Sequence, residues 1–169
     1  HYNWHWVWEL GCGDIGNDGI HQIDVARWGL NVAWPNRITC PGGQYFYDDD
    51  HETPDWQTAT YEYDDCVLFY EMRLWTNYPI EGHDNGVVFY GDEGILEIGR
   101  KGSVITRIGG EPERIGGSQD IAANFANFVA SAKAGDPKLL NAPMSEAAVS
   151  ANLCHFGNIA TRVGTALTY

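Results

Sequence analysis

The apolar and polar positions of the chain change period along its length, and each period predicts an element. The opening "YNWHWVWEL" alternates, with Trp4, Trp6 and Trp8 two residues apart. In an extended segment these rings share one face, while His5 and Val7 point the other way. "GCGDIGN" reads as a glycine-rich loop. A helix is predicted from about Gly19 to Trp28, with Asp18 as its N-cap and Gly29 as the residue that ends it. The middle of the chain breaks into "RITC", "GQYFYD", "QTATYEYD", "CVLFYEMRLW", "GVVFYG", "GILEIG" and "SVITRIG". These are β-branched and aromatic runs punctuated by Gly, Asp and Asn, as in antiparallel strands. The turns "YDDC" and "GDEG" each join two of them. Thr58, Thr60, Glu62 and Asp64 alternate, which gives their strand one wet face. "CVLFYEM" is more evenly apolar and reads as a central strand. The last third is helical. One helix is predicted from Ser118 as N-cap to near Gly135, with Ile121, Phe125, Phe128 and Val129 at helical spacing. Another begins at Pro143 with a Ser145 cap and carries Val149, Leu153, Phe156, Ile159 and Val163 along one stripe. Helix, strand meander, then two helices predicts an α+β fold: a largely antiparallel β-sheet with helices packed on one face.

Length and charge narrow the picture. The 169 residues fit one domain, 1–169, large enough to bury a core without staples. Acids outnumber bases 23 to 10, for a net charge of −13. Nucleic acid and anionic membranes both require a basic face, so neither is expected as a partner. No apolar run reaches the length of a membrane span. Cys12, Cys40, Cys66 and Cys154 are scattered without a C-x-x-C, so no disulfide scaffold is expected. Cys66 and Cys154 lie among apolar neighbours and read as small buried hydrophobes. A reducing, cytoplasmic location fits this usage. The chain opens on His1 without an initiator methionine or a signal peptide, and is expected to be a fragment or a processed product.

The candidate chemistry sits in "DIGNDGIHQID". Asn17, His21, Asp24 and Trp28 are spaced four, three and four apart, which stacks them on one helical face. Ile20, Ile23 and Arg27 fall on the next stripe. An imidazole beside a carboxylate is the arrangement of a proton shuttle, because the carboxylate orients the ring and favours its charged form. The positive end of the helix opposes that charge. The alternative is a capped helix bearing a surface His–Asp pair. Trp4, Trp6 and Trp8 present faces suited to a sugar ring, with core packing or cover by a further domain as the alternatives. His155 reads as a semi-buried histidine of the last helix. Asp48, Asp49, Asp50, His51 and Glu52 form an acidic run without the spaced ligands and glycine of a calcium loop. That run reads as a solvated turn; with no zinc-like spacing elsewhere, no metal site is expected.

"NWHWVWELGCGDIGNDGIHQIDVARWGL" resembles the start of the C-terminal domain of the Gfo/Idh/MocA oxidoreductases. It is most similar to a bacterial branch with N-W-H-W-x-W followed by G-D-I-G-N-x-G-x-H-Q-x-D-x-A-R-W. "GGQYFYDDDHETPDWQTATYEY" and "SEAAVSANLCHFGNIATRVG" are also similar to that branch, so the resemblance covers nearly the whole chain. It implies an NAD(P)-dependent enzyme acting on sugars, polyols or related small molecules. It implies that this domain shapes the substrate pocket and builds a homo-oligomer through its sheet. By the same resemblance His21 is the proton relay to a substrate hydroxyl, and Asp24 is its acidic companion one turn later. Asn17, His5, Trp4 and Trp6 become substrate-binding residues, and His155 belongs to the branch pattern.

Two departures stand out. Asn17 occupies the position of the family's aspartate, and an amide cannot take a proton at neutral pH. The chain also shows no G-x-G-x-x-G after a strand and no candidate for the family's catalytic lysine; "GGEPERIGG" carries no such fingerprint. The Rossmann domain is therefore expected to be absent from this chain, which by itself binds no cofactor and transfers no hydride. NAD or NADP is implied for the full-length protein. Two other readings remain open: a stand-alone carbohydrate-binding or scaffold module, and part of an NAD-dependent glycosidase or lyase acting through a keto-sugar.

Overall fold

The computed structural model describes residues 2–76, 78–100, 102–116 and 120–168, with the backbone alone for Tyr2. They gather in two compact units, residues 1–84 with 149–169, and residues 85–148.

The first unit opens on a turn of 3-10 helix at Tyr2–Trp6, not on the extended segment its alternation suggests. No strand pairs with this stretch among the described residues. Its backbone groups are satisfied locally instead, through Val7 N–H to Trp4 O (3.2 Å) and Gly11 N–H to Val7 O (2.9 Å). "GDIGN" is likewise not loop but a short helix, α1 (Gly13–Asn17). Gly16 permits it, since a Cβ there would lie 2.1 Å from Cys12 Sγ. Helix α2 (Gly19–Leu30) follows directly. Asp18 precedes it without a side-chain cap bond, and Asn31 in the left-handed conformation (φ 55°) ends it rather than Gly29.

The sheet of this unit comprises β1 (Arg37–Thr39), β2 (Gly42–Gly43), β3 (Trp56–Glu62), β4 (Val67–Arg73) and β9 (Leu167–Thr168). Every pairing is antiparallel, with β3 in the middle. It takes β4 along its full length, from Trp56 opposite Arg73 to Glu62 opposite Val67, and β1 and β2 on its other side. Strand β9 closes onto β1. The "YDDC" turn joins β3 to β4, with Tyr63 N–H donating to Cys66 O. Strand β4 is thus an edge, not the central strand its apolar run suggests. It alternates too: Leu68 and Met72 are buried, Val67 and Phe69 exposed. Of "GQYFYD", Gly43 alone pairs in the sheet; Tyr45, Phe46 and Tyr47 wrap around the buried carboxylate of Asp55, which accepts all three of their backbone N–H groups at 2.8–3.0 Å.

Helix α4 (Met144–Val163) lies across both units in sequence, and its residues from Val149 onward belong to the first. Ser145 falls inside its first turn rather than capping it. Its buried face is Ser150, Leu153, Cys154, Gly157, Asn158 and Ala160, while Ile159 and Val163 of the expected stripe are exposed. The reason is polar. Tyr61 Oη donates to Leu153 O (2.9 Å), and Gln57 Nε2 donates to Asn158 Oδ1 (3.1 Å) and Thr161 Oγ1 (2.8 Å). Small and amide residues face these buried partners, and the larger aliphatics turn away. Ile15, Ile23, Ile38, Ala59, Tyr61, Leu68, Met72, Leu153 and Cys154 form the core.

The second unit is a meander of β5 (Gly86–Tyr90), β6 (Gly94–Gly99), β7 (Gly102–Arg107) and β8 (Glu113–Ile115). Helix α3 (Ile121–Ala134) belongs to it and ends at Gly135 (φ 65°). Its N-cap is Asp120, whose carboxylate accepts from Ala123 N–H (2.9 Å). Ser118, expected in that role, lies outside the described residues. Mostly antiparallel sheets with helices set beside them make the fold α+β.

Candidate functional site

Helix α2 presents His21 and Trp28 to solvent, with Asp24 half-exposed one turn from His21, while Asn17 is exposed at the end of α1, before the break at Asp18. The stripe behind is anchored: Ile23 and Arg27 are buried. Arg27 donates from Nε to Ser150 Oγ (3.0 Å) and from Nη1 to Val32 O (2.9 Å). Ser150 Oγ in turn donates to Asp24, whose carboxylate lies 3.9 Å from the Arg27 guanidinium. Asp24 is therefore clamped by α4 through Ser150 and neutralised by Arg27. No hydrogen bond joins it to His21 among the described residues, and the His21 imidazole is unbonded there. The helix sets the two groups in one row, but the carboxylate is turned to Ser150.

The aromatic opening lies against α1. A Cβ on Gly11 would come within 2.4 Å of His5 Cα, so this glycine admits the close approach. His5 is sandwiched between Trp4 and Trp6, with ring centroids 5.6 and 4.1 Å apart. Trp4 is exposed and Trp6 half-buried. Trp8 is held separately, beneath the Arg162 guanidinium at 4.8 Å. His155 points from the exposed side of α4.

One carboxylate escaped the sequence reading. Asp14 on α1 is half-buried, and burial, reinforced by the nearby Asp18 charge, pushes its pKa up to about 6. Its charge in turn helps burial raise the pKa of the Tyr70 hydroxyl, which packs against Gly19 at the start of α2. The signal for Asp14 was the glycine spacing of "GCGDIGN", which lets a helix start there and carry it inward. Ser150 had no such signal, since it meets Asp24 across 126 residues.

Metal and nucleotide binding can be tested on the same geometry. Among the described residues no group of three or more His, Cys, Asp or Glu side chains is arranged to hold a metal ion. At the start of α3 the Asp120 carboxylate takes the Ala123 N–H and sets a negative charge at that helix N-terminus. No helix among them is long and apolar enough to cross a membrane.

Antiparallel sheets with helices beside them define an α+β domain. The sequence matches the GFO/IDH/MocA C-terminal domain over residues 1–97, and the chain belongs to that family. No curated protein matches it. Among solved structures, the chain is similar to an aldose-aldose oxidoreductase from Caulobacter crescentus complexed with glycerol (TM-score 0.77, 14% identity, covering 98% of this chain and 50% of that one). It is also similar to a protein from Erwinia carotovora atroseptica SCRI1043 (TM-score 0.74, 18% identity, 94% and 50%). A third is an oxidoreductase from Agrobacterium radiobacter in complex with NAD+, L-tartaric acid and magnesium (TM-score 0.67, 12% identity, 89% and 47%). At these identities the likeness is one of fold. The chain spans about half the length of the structures it matches.

Proposed function

We propose that this chain is the substrate-side domain of a longer NAD(P)-dependent oxidoreductase acting on a sugar or polyol. Membership of the family over residues 1–97 supports it. The observation that carries it is helix α2, where an unbonded imidazole, His21, stands one turn from Asp24 above a buried anchor, with Asn17 exposed at the end of the preceding α1. In this reading His21 relays a proton from the substrate hydroxyl. Asn17 orients that hydroxyl without taking the proton. Asp24, fixed by Ser150 and Arg27, ties the helix that carries His21 to α4. His5, Trp4 and Trp6 contribute the aromatic wall against which a sugar's C–H faces pack. NAD or NADP is held by another part of the longer protein. A second copy of the chain packs on the exposed sheet face.

The test is turnover of the full-length protein with NAD and NADP over a panel of aldoses and polyols. Loss of general acid–base help lowers rates by about 100-fold or more, so His21→Ala is expected to reduce kcat by at least that factor. Near-normal turnover removes His21 from the reaction.

A further inference from the structure

One residue, Asp18, separates α1 from α2. Its N–H donates to Asp14 O (2.8 Å), which closes the last turn of α1. Its carbonyl accepts from His21 N–H (3.1 Å), which opens the first turn of α2. Its side chain gives α2 no capping bond, so the usual support for a helix start is missing. Strand β4 presses on the same point. A Cβ on residue 19 would lie 2.5 Å from Tyr70 Oη, so a glycine there is what admits the phenol.

Asp14 stands one turn before Asp18, at the spacing that brings like charges together on a helix. Its carboxyl is half-buried and makes no hydrogen bond among the described residues, and the half-buried Tyr70 hydroxyl makes none either. Burial, and after it the Asp18 charge, pushes the Asp14 carboxyl up to about 6. Burial also raises the Tyr70 hydroxyl, and Asp14 adds to that more than any other charge, ahead of Cys154, Asp18 and Cys40. The carboxyl and the hydroxyl therefore meet at the helix break. The other charged groups on the elements packed here are engaged elsewhere. Asp24 and Arg27 of α2 are tied to Ser150, and Glu71 and Arg73 of β4 pair with each other at 3.0 Å. His5 of the opening turn lies between Trp4 and Trp6, and the Cys12 thiol packs on Gly16.

The two protonation states of Asp14 do different things at this point. A neutral carboxyl has an O–H to donate, and the Asp18 carboxylate and Tyr70 Oη are the acceptors in the cluster. An ionised one repels the Asp18 charge across the backbone bond that closes α1. Because the folded pKa stands above the ordinary 3.8, the folded chain binds this proton more tightly than the unfolded chain does. Its contribution to stability is whole below about pH 4 and is lost as pH rises to about 6. At neutral pH the carboxyl is thus a cost to the fold, and such local costs are expected where a residue serves function.

We propose that Asp14 is a positioning residue whose proton latches the break at Asp18, and that loss of this proton loosens the first turn of α2, which carries His21. Asp18 and Tyr70 are the groups it latches to, and Gly19 is the point on which the turn pivots. The consequence for catalysis rests on the role proposed for His21; the latch itself does not.

The experiment is hydrogen exchange of the full-length protein, read by mass spectrometry on the peptide spanning residues 18–24. It runs from about pH 5 to about pH 8, each rate being compared with that of an unstructured chain at the same pH. The rise from 3.8 to about 6 limits the effect to about 100-fold. Protection in the wild type is expected to fall about tenfold or more, with its midpoint near pH 6. Asp14→Asn keeps the shape and cannot ionise, so its protection is expected to stay level across the range. Asp18→Asn removes the opposing charge and is expected to move the midpoint down. Thermal melting confirms that each variant is folded. A level wild-type profile overturns the proposal without any variant, as does a folded Asp14→Asn that keeps the wild-type transition. Turnover in the same buffers separates the latch from the redox reading. A kcat that follows the transition in the wild type and loses it in Asp14→Asn joins latch and reaction. A kcat indifferent to a transition that exchange does show leaves the latch standing and counts against His21 as the relay.

Discussion

Asp55 shows how much one side chain can organise. It is fully buried, and its carboxylate gathers the backbone N–H groups of Tyr45, Phe46 and Tyr47. Burial pushes its pKa up, but the three N–H groups together outweigh that and leave it below the ordinary 3.8. A depressed folded pKa contributes stability that is complete above the unfolded value and is lost as pH falls through the folded one. Hydrogen bonds to a charged group are worth about 1.5–3 kcal/mol each, and Asn keeps some of them. Asp55→Asn is therefore expected to cost about 2 kcal/mol at pH 7. The gap from wild type should close as pH drops from about 5 to 2. Urea unfolding across that range measures it. Nothing in "HETPDW" announced this role, because an Asp before a strand is ordinary loop chemistry until the three donors converge on it. The spacing that put Asn17 and His21 on one helix did not show the break at Asp18, which leaves Asn17 at the end of α1 and His21 on α2. The turning of Asp24 toward Ser150 was not legible either, because spacing says nothing about partners more than a hundred residues away.

Strands and helices were legible where their period was unbroken, as in β3, β5, β6 and β7. They failed where tertiary partners decided. "GQYFYD" has strand composition, yet Asp55 takes its N–H groups away from any ladder. The stripe predicted for α4 was apolar, whereas the real interface is set by close approach. Gly157 marks the closest point: a Cβ there would meet Ile15 Cδ1 at 2.9 Å and Tyr61 Oη at 3.1 Å. Alanine normally stabilises a helix interior by about 0.5–1 kcal/mol over glycine. Overpacking a tight core costs about 1–3 kcal/mol. Packing wins, so Gly157→Ala is expected to destabilise by about 1–2 kcal/mol and lower the Tm in a thermal melt. A raised Tm would mean that α4 sits farther from α1 and β3 than described.

At the scale of the molecule, the sheet of the first unit leaves Val67 and Phe69 exposed on an edge strand, with Phe69 61% accessible. Exposed apolar surface favours association. Sedimentation is expected to show self-association that Phe69→Lys weakens; a clean monomer at high concentration would contradict the oligomer in the proposed function. The α+β class was readable from element order, but the two units were not, because nothing in composition marks residue 84 or 149 as a boundary.

The discontinuity of the first unit also bears on synthesis. Arg27, Gln57 and Tyr61 are buried, and each finds a partner in Ser150, Asn158 or Leu153. A ribosome delivers those partners only after residues 85–148 have emerged. Until then the nascent first segment carries the Gln57 amide and the Tyr61 phenol without the partners they meet in the folded unit. It cannot close its core ahead of the second, which is free to fold as an insertion while the first waits. Translation speed across that insertion, rather than the stability of either unit, then sets how long the unfinished sheet stays open to other chains.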